Sequence, residues 1–146
     1  MALSGDPMPK LTTKGPQELF ENIFGKQYLN NAAITLSPDR LAELKQLLHD
    51  GFAKVTKRKS YGPVKKRADL IIILRYGLDG VEYSLNETAR RISSDIGKAP
   101  PYSRTLIQHV EAWAMLYLRG DYMGLRLTQL LRNAIEDERK SHLGPK

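Results

Sequence analysis

Apolar side chains recur along this chain with the three- and four-residue spacing of an α-helix. The clearest stripe consists of Leu41, Leu44, Leu48, Phe52 and Val55. Side chains at this spacing share one face of a helix, so that face is expected to be buried against other elements while the opposite face meets solvent. Because similar stripes follow further along the chain, the sequence predicts a small all-α protein of five to six helices.

Capping residues mark the beginning of two of these helices. Ser37 precedes Pro38 and Asp39, a combination typical of a first helical turn. Ser84 precedes Glu87 by three residues, which is the capping-box pattern. Further helices are predicted over residues 16–24, 102–118 and 121–140.

In other segments the sequence leaves the secondary structure ambiguous or predicts a loop or a tail. The aliphatic run at residues 70–74 fits a buried strand as well as a buried helix. Residues 93–101, with two serines, a glycine and two prolines, predict a loop. Flexible tails are expected at residues 1–15 and 141–146, around a single helical domain at 16–140. Inward positions of the last two helices are expected to include Leu106, Trp113, Tyr117 and Ile135.

The positive charge of the chain is concentrated in one segment. Between Lys54 and Arg67 lie seven basic residues and no acidic one, which matches the whole net charge of +7. These residues are Lys54, Lys57, Arg58, Lys59, Lys65, Lys66 and Arg67. A concentrated basic segment is the electrostatic footprint of a nucleic-acid-binding protein, although a solvated basic loop has the same composition.

The chain lacks the residues that several classes of function require. The chain has no cysteine, and His49, His109 and His142 have no partners at metal-ligand spacing. We find no catalytic set and no phosphate-binding glycine loop, so we expect neither an enzyme nor a cofactor. No apolar run is long enough for a signal peptide or a membrane span. The sequence therefore predicts a soluble, cytoplasmic protein without a membrane partner.

Two helices close in sequence suggest a helix-turn-helix within this domain. Ala89 supplies the small residue that the first helix needs where the second crosses it. The outer positions at the beginning of the second helix are polar and suited to the major groove: Ser103, Arg104, Thr105, Gln108 and His109. Helical hairpins with polar outer faces also occur in proteins that bind no DNA, so both interpretations stay open on the pattern alone.

Residues 67–80, RADLIIILRYGLDG, and 84–92, SLNETARRI, resemble region 4 of sigma-70 type factors. Ser103-Arg104 and Val110-Glu111-Ala112 resemble the recognition helix of that family. The resemblance implies a helix-turn-helix that reads the upstream promoter element in double-stranded DNA and binds the β flap of RNA polymerase.

The resemblance also implies residue roles. Arg104 would be the main base-reading residue, with Gln108 and His109 beside it in the groove. Arg90 and Arg91 would lie near the phosphate backbone. The apolar helix at residues 70–74, with the leucines before it, would form the scaffold that meets the flap.

This sequence departs from the family pattern at several points. The turn is longer, at nine residues from Ser93 to Pro101, and Thr105 stands where the family has an acid. The sequence contains no counterpart of the sigma regions that melt DNA. The C-terminal helix has no sigma counterpart, and three roles stay open for it: locking the recognition helix, forming a homodimer or contacting another partner.

We therefore predict a DNA-binding transcription regulator that acts at promoters with RNA polymerase. The first alternative is a polymerase-binding sigma mimic that no longer reads DNA sequence. The second is a helical protein that binds nucleic acid without sequence preference.

Overall fold

The computed structural model describes residues 10–11, 15–25, 34–57 and 61–142, and within them it contains six α-helices. The prediction of a small all-α protein is confirmed. The helices are α1 (Gly15–Phe24), α2 (Pro38–Val55), α3 (Ala68–Tyr76), α4 (Leu85–Ile96), α5 (Arg104–Arg119) and α6 (Asp121–His142). A short 3-10 turn, Lys65–Arg67, precedes α3, and a two-stranded antiparallel sheet joins β1 (Lys10–Leu11) to β2 (Val81–Glu82).

Serine side chains cap the beginnings of three helices. Ser37 Oγ accepts a hydrogen bond from the Arg40 amide at 3.2 Å, ahead of α2. Ser84 caps α4 and Ser103 caps α5 in the same way. Each cap satisfies an amide that the first helical turn leaves without a partner, so the predicted helix beginnings are confirmed.

The aliphatic run at residues 70–74, which fitted a strand or a helix from the sequence, belongs to helix α3. Its fully buried residues, Ala68, Ile71 and Ile72, lie at helical spacing, and the neighbouring aliphatic side chains are half-buried. The helix packs against α1, α2, α4 and α5, which explains why its sequence is apolar on nearly every side. Gly77 ends it in the left-handed region, at φ 66°.

Some sequence expectations are wrong in detail. The predicted loop at 93–101 begins later, because α4 continues to Ile96 and ends at Gly97 with φ 83°. Leu106 is 36% exposed and Ile135 45% exposed, since both lie beside the buried stripes of their helices rather than on them. Helix α6 continues through His142, two residues into the predicted C-terminal tail.

The N-terminal segment also differs from the expected tail. Lys10 pairs with Glu82 and Leu11 with Val81 in the short sheet. Gly15, which begins α1, is buried so closely against the Tyr76 carbonyl that a Cβ atom would overlap it. Residues 1–9, 12–14 and 143–146 lie outside the described part of the chain.

Helix α5 lies at the centre of the packing, in contact with α1, α3, α4 and α6. The helices share one hydrophobic core, whose largest fully buried side chains include Phe20, Phe52, Leu44, Leu48, Ile71, Ile92, Ile107, Leu118 and Met123. This core fixes the orientation of α5 and thereby determines which of its side chains face outward. Among the helices described, none combines the length and apolar character needed to cross a bilayer.

Candidate nucleic-acid interface

Helices α4 and α5 pack directly against each other, as a helix-turn-helix requires. Ala89 and Ile92 of α4 are buried, as are Ile107 and Val110 of α5. The small side chain of Ala89 lies on the buried face of α4, as expected from the sequence. The pair is therefore a braced unit rather than two independent helices.

Hydrogen bonds to Ser93 fix the turn between the two helices. The sequence predicted that this residue lies in a loop. Ser93 is 1% exposed, and its hydroxyl donates to the Ala89 carbonyl at 2.6 Å. The same oxygen accepts from the Tyr102 amide at 2.8 Å, which ties the far end of the turn to α4. The amides of Gly97 and Lys98 donate to the Ser93 carbonyl, so the near end is fixed as well.

The outer face of α5 carries the predicted base-reading residues. Arg104, Thr105, Gln108 and His109 are all exposed. Within the described residues, none of these four side chains makes a hydrogen bond or an ion pair. Ser103 is exposed and caps the helix through its hydroxyl, which leaves the first amides of α5 directed outward.

The outer face continues beyond these polar residues as an apolar strip. Ala112 is exposed, and Leu116 one helical turn later is 67% exposed. They border a shallow groove, which Leu85 at the beginning of α4 and Gln108 also line. Leu116 was not among the predicted site residues, although its spacing from Thr105 and Ala112 places it on the same face.

Arg90 and Arg91, expected near the DNA backbone, are exposed on α4 and share one acidic partner. Glu87 pairs with the guanidinium of Arg90 and with that of Arg91, both at 3.0 Å. Arg91 also stacks over the Tyr83 ring, 4.2 Å from its centre. Glu87 was recognised in the sequence only as a capping residue, although its three- and four-residue spacing from the two arginines predicts these pairs.

The basic residues between Lys54 and Arg67 have different surroundings in the fold. Lys57 and Lys66 are exposed and have no partner within the described residues. Arg67 pairs with Asp95 near the end of α4, with 2.5 Å between Nε and Oδ2. Lys54 lies over the Tyr122 ring. The predicted residues Arg58 and Lys59 fall outside the described part of the chain.

Lys65 brings this segment to the flank of α5. Its ammonium group lies 4.9 Å from the centre of the Trp113 ring and 5.4 Å from that of Tyr61. Trp113 follows His109 by one helical turn, so the 3-10 turn lies beside the outer face of α5. Trp113 itself is half-buried and packs against Phe52 at 5.9 Å between ring centres, as expected for a core-packing role.

The two parts of the sigma-like pattern contact each other in the fold. Arg75, from the segment LRYGL, pairs with Glu111 of α5 at 3.1 Å and donates to the Tyr83 carbonyl at 2.8 Å. Tyr76 beside it is buried, accepts a hydrogen bond from Asn22, and its pKa is raised by burial. These contacts fix α5 against α3 from the side opposite Trp113.

No grouping of three metal-ligating side chains occurs in the part of the chain that the structure describes. No protein-family model, curated protein sequence or solved structure matches this chain. The similarity to sigma region 4 therefore rests on the motif residues given above.

Proposed function

We propose that this protein is a DNA-binding transcription regulator that reads double-stranded DNA with α5 and acts at promoters together with RNA polymerase. One observation supports this proposal above the others. The side chains of Arg104, Thr105, Gln108 and His109 are exposed, without a partner in the described ranges, on a helix that α4 braces. Because α4 braces α5, these four side chains are held in one orientation, on a face that a major groove could receive.

The side chains on this face match what the major groove offers. The guanidinium of Arg104 suits the two acceptors on a guanine edge, and the amide of Gln108 suits an adenine edge. The methyl groups of Thr105 and Ala112 suit the thymine methyl group. The capped beginning of α5 directs amides outward, where a backbone phosphate can accept from them.

Residues of the basic segment, of which Lys65 lies beside α5, would supply the sequence-independent part of the affinity. Lys57 and Lys66 are exposed and make no ion pair with any residue that the structure describes, and Lys65 flanks the helix. Neutralising phosphates with such residues releases counterions, so binding should weaken steeply with salt.

The function is tested by selecting bound fragments from random duplex DNA with the full chain, once alone and once with purified RNA polymerase. The proposal predicts enrichment of a defined sequence, stronger in the presence of polymerase. Salt-sensitive retention of DNA without any enriched sequence would instead identify a nucleic-acid-binding protein without sequence preference.

A second candidate function is binding to RNA polymerase without reading DNA. It is favoured by the pairing of Arg67 with Asp95 and of both Arg90 and Arg91 with Glu87, because these cations are partly neutralised within the protein. The exposed Leu116 beside a groove favours it too. Capture of purified polymerase that survives Arg104→Ala, without any shift of duplex DNA, would select this function.

A further inference from the structure

The solvent face of α6 carries a regular stripe that the packing of the monomer does not use. Its members alternate at four- and three-residue spacing: Asp121, Leu125, Thr128, Arg132, Ile135 and Arg139. Leu125 is 73% exposed and Ile135 45% exposed. The core-facing residues Met123, Leu127, Leu130 and Ala134 lie on the other side of the helix, and the buried Leu131 lies at the edge of the stripe, one turn before Ile135.

Over nineteen residues this alternation is the spacing of the facing positions in helices that pack side by side, and Leu125 and Ile135 are the large apolar members. Positions that alternate by four and three stay on one face when two helices wrap around each other. The stripe therefore has the geometry of a helix-pairing surface, but within the described residues no element covers Leu125 or Ile135.

The stripe is complementary to itself in one orientation. We propose that α6 pairs antiparallel with α6 of a second copy of this chain, around a two-fold axis at residue 130. In that register Asp121 faces Arg139 of the second copy, and Leu125 faces Ile135 of the second copy. Thr128 faces Arg132, and the axis repeats all three pairs, as a two-fold interface requires.

The charges decide the direction of pairing. A parallel pair would set Asp121 against Asp121, Arg132 against Arg132 and Arg139 against Arg139, which is repulsive at each position. The antiparallel pair replaces two of these repulsions with opposite charges. The two Arg132 side chains would lie near the axis, each opposite a neutral threonine. Glu136 pairs with Arg139 of its own helix, at 3.7 Å, and both side chains stay exposed.

The pairing makes a prediction that no other register shares. Asp121→Arg and Arg139→Asp each place like charges opposite one another twice in a homodimer, so each variant alone should dimerise at least about fivefold more weakly. Mixing the two variants restores both opposite-charge pairs, because one copy then carries two arginines and the other two aspartates. We expect the mixture to form heterodimers with an affinity near that of the parent.

Sedimentation velocity of the full-length chain over a range of concentrations measures these effects. The parent should show a concentration-dependent dimer. Leu125→Gln should weaken that dimer, whereas Leu116→Gln, which changes a similarly exposed leucine on α5, should leave it unchanged. Circular dichroism should show all variants folded, since the altered side chains are exposed.

Three outcomes would overturn the proposal. They are a parent that stays monomeric at the highest concentration, charge variants that dimerise like the parent, or a mixture no stronger than its components. The pairing of α6 does not depend on the function of α5, so DNA binding could persist in a monomeric chain.

Discussion

In the proposed function, Arg104 is the residue on which recognition of the DNA sequence depends most. It is exposed at the beginning of α5 and has no partner within the described residues, so its guanidinium is free to take both acceptors on a guanine. We expect Arg104→Ala to cost about 1–3 kcal/mol of binding to a selected site and to relax the preference at one base pair. Titration of labelled duplexes, selected and scrambled, measures both effects.

The matched control for this variant is Lys140→Ala, which removes a positive charge from the exposed end of α6. It should leave the ratio of affinities for the selected and scrambled duplexes unchanged. If Arg104→Ala also left that ratio unchanged, the assignment of Arg104 as the base-reading residue would be wrong.

Ser93 shows how one buried hydroxyl determines the geometry of the turn. Its removal in Ser93→Ala leaves the half-buried Tyr102 amide without an acceptor, and such a loss costs about 1–3 kcal/mol of folding free energy. The exposed neighbour Ser94 makes no side-chain hydrogen bond within the described residues, so Ser94→Ala should change stability by less than about 0.5 kcal/mol. Urea denaturation of both variants provides the comparison, and equal stabilities would contradict this role for Ser93.

At the scale of elements, the sequence predicted where helices begin better than where they end. Ser37, Ser84 and Ser103 act locally on the next three residues, so their effect could be recognised from sequence. The end of α4 could not, because Ser93 and Ser94 favour turns in isolation and are helical here through the buried contacts of Ser93. The aliphatic run of α3 was ambiguous because its surroundings, rather than its periodicity, determine its structure.

The contact between α2 and α6 has a pH dependence that can be predicted. Arg40 makes two hydrogen bonds to Asp137, at 2.6 and 3.3 Å, which lowers the pKa of that carboxyl below its ordinary value of 3.8. A group whose pKa is lower in the folded state stabilises the fold above its unfolded pKa, and this contribution disappears as the pH falls through the folded pKa.

Asp137→Asn should therefore lower the Tm slightly at neutral pH, and its Tm should converge with that of the parent in strong acid. The effect is small because Asp137 is exposed and Arg40 is only half-buried, so water screens the pair. In an Arg40→Gln background the pH-dependent effect of the same substitution should be much smaller, because only the weaker attraction of Lys140 then lowers the pKa of Asp137. Thermal unfolding followed across the acid range measures the Tm difference between the variant and the parent. A difference that persisted in acid would show that the ion pair does not cause it.

At the scale of the whole molecule, the site could be predicted only in part. The outward direction of Arg104, Thr105, Gln108 and His109 follows from helical periodicity, which the sequence contains. The pairing of Arg67 with Asp95, and the position of Lys65 over Trp113, depend on chain segments brought together by folding. Local sequence patterns do not encode such contacts between distant segments.

The distribution of charge over the molecule predicts how the proposed DNA binding would respond to salt. Replacing Lys57, Arg58 and Lys59 with glutamine should weaken binding to all sequences alike and lower the salt slope by up to about 0.9 for each phosphate that the segment no longer neutralises. Lys140→Gln should leave the slope unchanged. Measuring the affinity at several salt concentrations shows whether the segment binds phosphates. An unchanged slope in the triple variant would mean that other residues bind them.

Backbone amide chemical shifts would show whether the outer face of α5 contacts duplex DNA, as we propose. An isotope-labelled full-length chain would be titrated with a duplex obtained by selection. We expect the largest shift changes at residues 103–112 and in the flanking basic segment, while the outer face of α6 changes little. Saturable binding with unmoved α5 signals and the largest changes on another surface would contradict it.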